Sequence, residues 1–166
     1  MPDPFALFEI EPGFDLDLQQ LEARFLSLSV QNHPDRFLDP IQQADAADQM
    51  ARITVAYQQL ADPEARANTL LKFLGGPSKE DDKTLPPDLL MQMMDVREDL
   101  EAAAASQDKA KLTQLRDWAD TQRLEHIDRL SGLFAGIFDT GTAKLIRIEL
   151  NALRYIARML EQMPAH

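Results

Sequence analysis

His33-Pro34-Asp35 lies between two amphipathic stretches, and the reading of that junction decides the fold. Pro34 fixes its own φ, lacks an amide hydrogen and pushes His33 out of helical geometry, so a helix arriving from upstream must end there. Upstream, Leu18, Leu21, Phe25 and Leu28 fall at helical spacing and give one apolar face from about Asp15 to Asn32, with Arg24, Ser27 and Gln31 on the opposite side. Downstream, Met50, Ile53, Tyr57 and Leu60 repeat the same rhythm up to Ala61-Asp62-Pro63. Two such faces joined by a loop can bury each other as an antiparallel helical hairpin. Asp35 is expected to steady the loop by accepting backbone N–H bonds. Ahead of the pair, Asp3-Pro4-Phe5-Ala6-Leu7-Phe8 reads as a short helix that lays Phe5 and Phe8 across it.

Composition extends this helical reading to the whole chain. With 166 residues there is room for one domain or two small ones. β-branched runs are short, strand-like alternation is absent, and Ala, Leu, Met, Glu and Gln dominate, so an all-α protein is expected. A net charge of −11 argues against a nucleic-acid backbone as the main ligand. No apolar run reaches membrane-spanning length, and Met1-Pro2-Asp3 begins nothing like a targeting peptide, so the protein is expected to stay where it is made. There is no cysteine, which removes disulfides and thiolate ligation of zinc or iron–sulfur clusters. His33, His126 and His166 are scattered without metal-ligand spacing, so neither a metal nor a cofactor of the chain's own is expected.

Gly75-Gly76-Pro77, followed by the charged run Ser78 to Thr84, marks the one clear boundary. The expected division is a first domain over 1–74, a linker over 75–87 and a second domain over 88–166. Three helices are expected in the second domain, at about Asp88 to Ala105 with Asp88 as cap, Asp108 to Phe138, and Thr142 to Gln162. Their short connections favour an antiparallel three-helix bundle. Residues 1–75 carry five Lys and Arg against twelve Asp and Glu, hence −7; residues 76–166 carry twelve against sixteen, hence −4.

The first of these helices has two apolar arcs. Advancing about 100° per residue, Leu89, Met93, Val96, Leu100 and Ala103 form one stripe, while Leu90, Met91 and Met94 fall on another, shared with Glu98 and bordered by Asp95. A Leu and Met stripe edged by acids suits a protein partner. It could equally be covered by the third helix or by the first domain. Trp118 and Phe134 read as core, His126 as a surface or core-edge residue, and Arg147, Arg154 and Arg158 as a solvated face.

Pro4-Phe5-Ala6-Leu7-Phe8, the hairpin, His33-Pro34-Asp35-Arg36-Phe37, Ile53-Thr54-Val55-Ala56-Tyr57 and Leu60-Ala61-Asp62-Pro63 together resemble a J-domain, the module of DnaJ-type co-chaperones that stimulates ATP hydrolysis by DnaK-type chaperones. The resemblance covers about the first seventy residues. The stretch Leu89 to Leu100, which carries both arcs, and Leu153-Arg154-Tyr155-Ile156 resemble the C-terminal unit of the HscB family, J-type co-chaperones of iron–sulfur cluster biogenesis. That resemblance implies an HscA/DnaK-type chaperone as partner of His33, Pro34, Asp35, Arg24 and Arg36. It implies an IscU-type scaffold protein as partner of Leu90, Met91, Met94, Asp95, Glu98 and Tyr155. No catalysis by the chain itself is implied, and the location implied is the bacterial cytoplasm, away from membrane and nucleic acid. Three departures stand out: the second helix is weakly basic, Asn32 replaces a frequent aromatic residue, and Ala102 replaces an acid. Two rivals remain at this level, a J-domain protein serving another client and an enzyme with an acid-lined helical site.

Overall fold

The structure, a computed structural model, describes residues 3–163, and every regular element among them is helical. Met1, Pro2 and His166, on which parts of the sequence reading rest, lie outside the described residues. The chain divides into two units between Leu70 and Leu71.

In the first unit, the Asp3 side chain accepts from the Phe5 amide at 3.0 Å and Pro4 occupies the first turn, which starts α1 (Pro4–Leu7). Asp17 caps α2 (Leu18–Gln31) by accepting from the amides of Gln19 and Gln20. The partner helix α3 (Pro40–Ala61) starts well ahead of Met50, because Asp39 accepts from the Ile41 amide at 2.9 Å and Pro40 again fits the first turn. Leu21, Ile53 and Leu60 are fully buried between and around these helices, as are Phe5 and Phe8. Phe25 and Tyr57 stack with ring centroids 4.3 Å apart. Leu18, expected on the apolar face, is half exposed in the first turn of α2.

A further helix, α4 (Pro63–Phe73), follows where only a stop was expected. Asp62 ends α3, yet its side chain also accepts from the Ala65 amide at 2.8 Å, and Pro63 is well placed to begin a new helix. Arg66 is thereby buried. Its Nη1 donates to the Leu60 carbonyl at 2.6 Å and its guanidinium lies 5.1 Å from the centre of the Phe14 ring.

The second unit opens with the end of α4. Gly75 has φ +77° and donates to the Lys72 carbonyl, and the Gly76 amide reaches the Leu71 carbonyl at 2.8 Å. A Cβ at Gly76 would lie 2.2 Å from Leu71 Cδ1, so any other residue there forces the buried Leu71 side chain to shift. The charged run beyond is organised by its own side chains. Ser78 donates to Asp81 at 2.7 Å through its hydroxyl, Asp82 accepts from the Thr84 amide, and Asn151 Nδ2 donates to the carbonyls of Asp82 and Thr84, both at 3.1 Å.

Helix α5 (Pro87–Ser106) starts with Pro86 as its N-cap and no side-chain cap, so Asp88 lies inside the first turn instead of capping it. Gln107 in left-handed geometry (φ +54°) ends α5, and Asp108 caps α6 (Lys109–Ala135). Asp139 caps α7 (Thr140–Glu161) at the Thr142 amide. Met93 and Leu100 from α5, Leu115 and Ala119 from α6, and Ile156 and Met159 from α7 share one core, with Trp118 packed half-buried against it. Phe134 is likewise only half-buried.

Two polar residues depart from their expected places. His126 is buried, because Leu115, Ala119, His126 and Leu130 form one inward stripe of α6. Its Nδ1–H donates to the Glu149 carboxylate of α7, which also lies 3.7 Å from Arg129. Arg147, expected in solvent, is buried among the inward residues of α7 and donates through Nε to Asn151 at 3.1 Å. No helix among the described residues is long and apolar enough to cross a membrane.

Hydrogen bonds hold three carboxyls of this unit below the usual carboxylate range: Asp81 through Ser78, Asp82 through Thr84, and Asp139 through Thr142. A carboxyl depressed in the folded state stabilises it above the unfolded value, about 3.9, and that contribution is lost as pH falls through the lower folded value. The 78–84 turn is therefore expected to keep its amide protection down to about pH 4 and to lose it on further acidification. Hydrogen exchange at the Ser78 and Thr84 amides measures this; protection that is the same at low and neutral pH would contradict it.

Candidate functional site

The tip between α2 and α3 is built by backbone rules. Asn32 closes α2 twice on the Leu28 carbonyl, through its amide at 3.0 Å and its side chain at 2.8 Å. His33 is extended, with ψ 129°, as the residue before a proline should be. Pro34 to Arg36 then form one 3₁₀ turn, closed by Arg36 N–H to His33 O and Phe37 N–H to Pro34 O. The local hydrogen bond runs opposite to expectation. His33 Nδ1 accepts from the Asp35 amide at 3.3 Å, and the Asp35 carboxylate takes no hydrogen bond among the described residues. Its side chain is 90% exposed and that of His33 55%. With Nδ1 accepting, the neutral ring carries its proton on Nε2.

The two cations assigned to the tip are both occupied. Arg36 Nη1 donates to the Val30 carbonyl at 3.1 Å and so fastens the turn to the end of α2. Arg24, two turns back, pairs with Glu9. His33, Pro34, Asp35 and Arg36 thus meet at one tip, and Arg24 stands apart on the α2 face. Sequence reading assigned nothing to Leu26, Val30, Leu38 and Ile41, all exposed. The i, i+4 spacing of Leu26 and Val30 was the available signal for an apolar face there.

On α5 the two arcs separate as spaced. Met93, Leu100 and Ala103 are buried, with Leu89 and Val96 packed against the core. Leu90, Met91 and Met94 are 44%, 67% and 59% exposed. Asp95 and Glu98 are exposed beside them and form no ion pair among the described residues, whereas Asp99 pairs with Lys111 at 2.8 Å and Glu101 with Arg97. The face therefore keeps adaptable apolar side chains and free carboxylates together. Tyr155 is half-buried on α7, against the same core, beside a hollow to which α5 contributes no residue.

A short helix, a helical hairpin with an exposed His-Pro-Asp tip and a following helix define a J-domain, here joined to a helical bundle; the class is that of J-type co-chaperones. The family described as the HSCB C-terminal oligomerisation domain matches residues 85–163. A "Co-chaperone protein HscB homolog" of Burkholderia thailandensis is 34% identical over 146 residues, which cover 86% of this chain and 83% of that protein. A protein of the same name from Neisseria meningitidis serogroup C is 37% identical over 118 residues, 69% of this chain and 71% of its own length. Chaperone HscB from Vibrio cholerae has a similar structure, with TM-score 0.78 and 28% identity over 96% of this chain and 94% of that one. Human co-chaperone HscB shares the fold at TM-score 0.82 and 22% identity, covering 98% and 80%. The chain belongs to the HscB family of co-chaperones.

Adjacent methionines of α5 provide a direct check on the two arcs. Met93→Ala is expected to cost about 2–5 kcal/mol in denaturant unfolding of the second unit, because it empties the core. Met94→Ala is expected to stay within about 0.5 kcal/mol of the parent. Equal losses at both positions would contradict the separation.

Proposed function

We propose that the chain couples an HscA/DnaK-type chaperone to an IscU-type scaffold protein during iron–sulfur cluster biogenesis. His33, Pro34 and Asp35, with Arg36 and Arg24, engage the chaperone and favour its hydrolysis-competent state. Leu90, Met91, Met94, Asp95, Glu98 and Tyr155 hold the scaffold. Carrying both contacts on one chain raises the scaffold's effective concentration at the chaperone without any new contact between those two. ATP, magnesium and cluster belong to the partners, and the chain contributes docking instead of bond-making. The place of action is the bacterial cytoplasm.

The observation that carries this reading is the exposed Leu90, Met91 and Met94 arc of α5 in a chain of the HscB family. Membership of that family supports the chaperone end; the accessible His-Pro-Asp turn supplies the geometry for it. Arg24 is already paired with Glu9 within the chain, so the chaperone contact is expected to depend less on salt than one made by a strongly basic helix.

His33→Gln is expected to abolish stimulation of the chaperone's ATPase while scaffold binding is retained, as measured by steady-state phosphate release and calorimetry. Stimulation at the parent level would refute the assignment of the tip. Replacing Leu90, Met91 and Met94 together by Ala should weaken scaffold binding at least tenfold, since such anchors are worth on the order of 1–2 kcal/mol each. A titration with unchanged affinity would assign the bundle another role.

A further inference from the structure

Four cations converge on one small hollow of the second unit. Lys79 and Lys83 come from the 78–84 turn, and Arg154 and Arg158 from consecutive turns of α7; with Asn151 and Tyr155 they line a cavity of about 270 Å³. No carboxylate lines it. Lys79 has Glu80 at 3.8 Å, while Lys83, Arg154 and Arg158 form no ion pair among the described residues. In a chain with 28 acids against 17 bases, four cations around a hollow with only Glu80 beside one of them is not what composition alone produces.

The group is also built, because like charges have to be held together against their repulsion. Asn151 does this. Its side-chain amide ties the turn to α7 at the carbonyls of Asp82 and Thr84, and its Oδ1 is fixed in turn by Arg147 Nε at 3.1 Å. The clamp joins residues 69 apart in sequence and sets the lysines opposite the arginines.

We propose that this hollow is an anion site that receives one or two carboxylates from an acidic segment of a protein partner. Planar guanidinium groups match carboxylates in bidentate geometry, and the Tyr155 ring supplies an apolar wall with a hydroxyl at its end. The cavity has the volume of side chains, and the overall charge of −11 opposes the approach of an extended polyanion such as nucleic acid or an anionic bilayer. A short acidic stretch meets the local field without facing the whole. The site shares Tyr155 with the scaffold reading and uses nothing of the α5 face.

The test is a titration of the isotopically labelled full chain with a capped hexaglutamate peptide at low ionic strength, followed by NMR at the Asn151 side-chain amide and the amides of 79–84 and 151–158. Saturable shifts confined to these groups are expected, weakening as salt rises. Arg154→Gln with Arg158→Gln should lower the affinity at least tenfold. Lys83→Gln with Arg158→Gln, which leaves the half-buried Arg154 in place, should lower it as well. Leu90, Met91 and Met94 replaced by Ala should bind the peptide as the parent does, which separates failure of this site from failure of the scaffold face. Absence of saturable shifts, or parent affinity in both charge variants, would overturn the proposal. So would tighter binding of inorganic phosphate, a single-stranded oligonucleotide or phosphatidylglycerol vesicles than of the peptide.

Discussion

Pro34 is the constraint from which the first unit follows. Its ring excludes His33 from helical geometry and its missing amide hydrogen leaves α2 nothing to continue with. The chain must turn at Asn32, and the apolar faces on either side are then free to close on each other. Ile53, Leu60 and Leu21 bury fully in that closure, and the Phe25–Tyr57 stack locks the register. The tip inherits its stiffness from hydrogen bonds that run back into the helix: Arg36 to Val30, and Asn32 to Leu28. His33 and Asp35 are therefore presented to solvent on a fixed turn. Little ordering entropy is left to pay when a partner docks.

In the second unit a different limit operates. A helix in a three-helix bundle can bury roughly one face, and α5 has apolar residues for two. Met93 and Leu100 satisfy the core shared with Ile156 and Met159, which leaves Leu90, Met91 and Met94 in water. Hydrophobic area left exposed beside unpaired Asp95 and Glu98 adds nothing to folding and is available for association. The same unit sequesters its polar surplus with care. Glu149 answers His126, and Asn151 answers both Arg147 and the turn at Asp82.

What was legible in the sequence is what local rules determine. Proline chemistry placed the tip, helical periodicity divided Leu90 and Met94 from Met93, and glycine at 75 and 76 marked a break in the chain. Features that depend on a second segment were not legible. Asp62-Pro63 reads as a stop in isolation, but a capping Asp before proline also starts a helix, and α4 was missed for that reason. Burial of His126 and Arg147 depends on partners supplied across the bundle, or on the way a whole helix packs, which one helical wheel cannot reveal. The orientation at the tip, with the Asp35 amide donating to the His33 ring, turns on a rotamer and not on residue type. The basic hollow needs a loop and a helix brought together by Asn151, a contact that no motif announces.

If the chain is a two-ended adaptor, the signature is synergy and not simple activation. The direct measurement is ATP turnover by a purified HscA-type chaperone with the chain, with an IscU-type scaffold, and with both. Turnover with both present is expected to exceed the sum of the two separate stimulations, most clearly at scaffold concentrations too low to act alone. Stimulations that merely add would contradict the account.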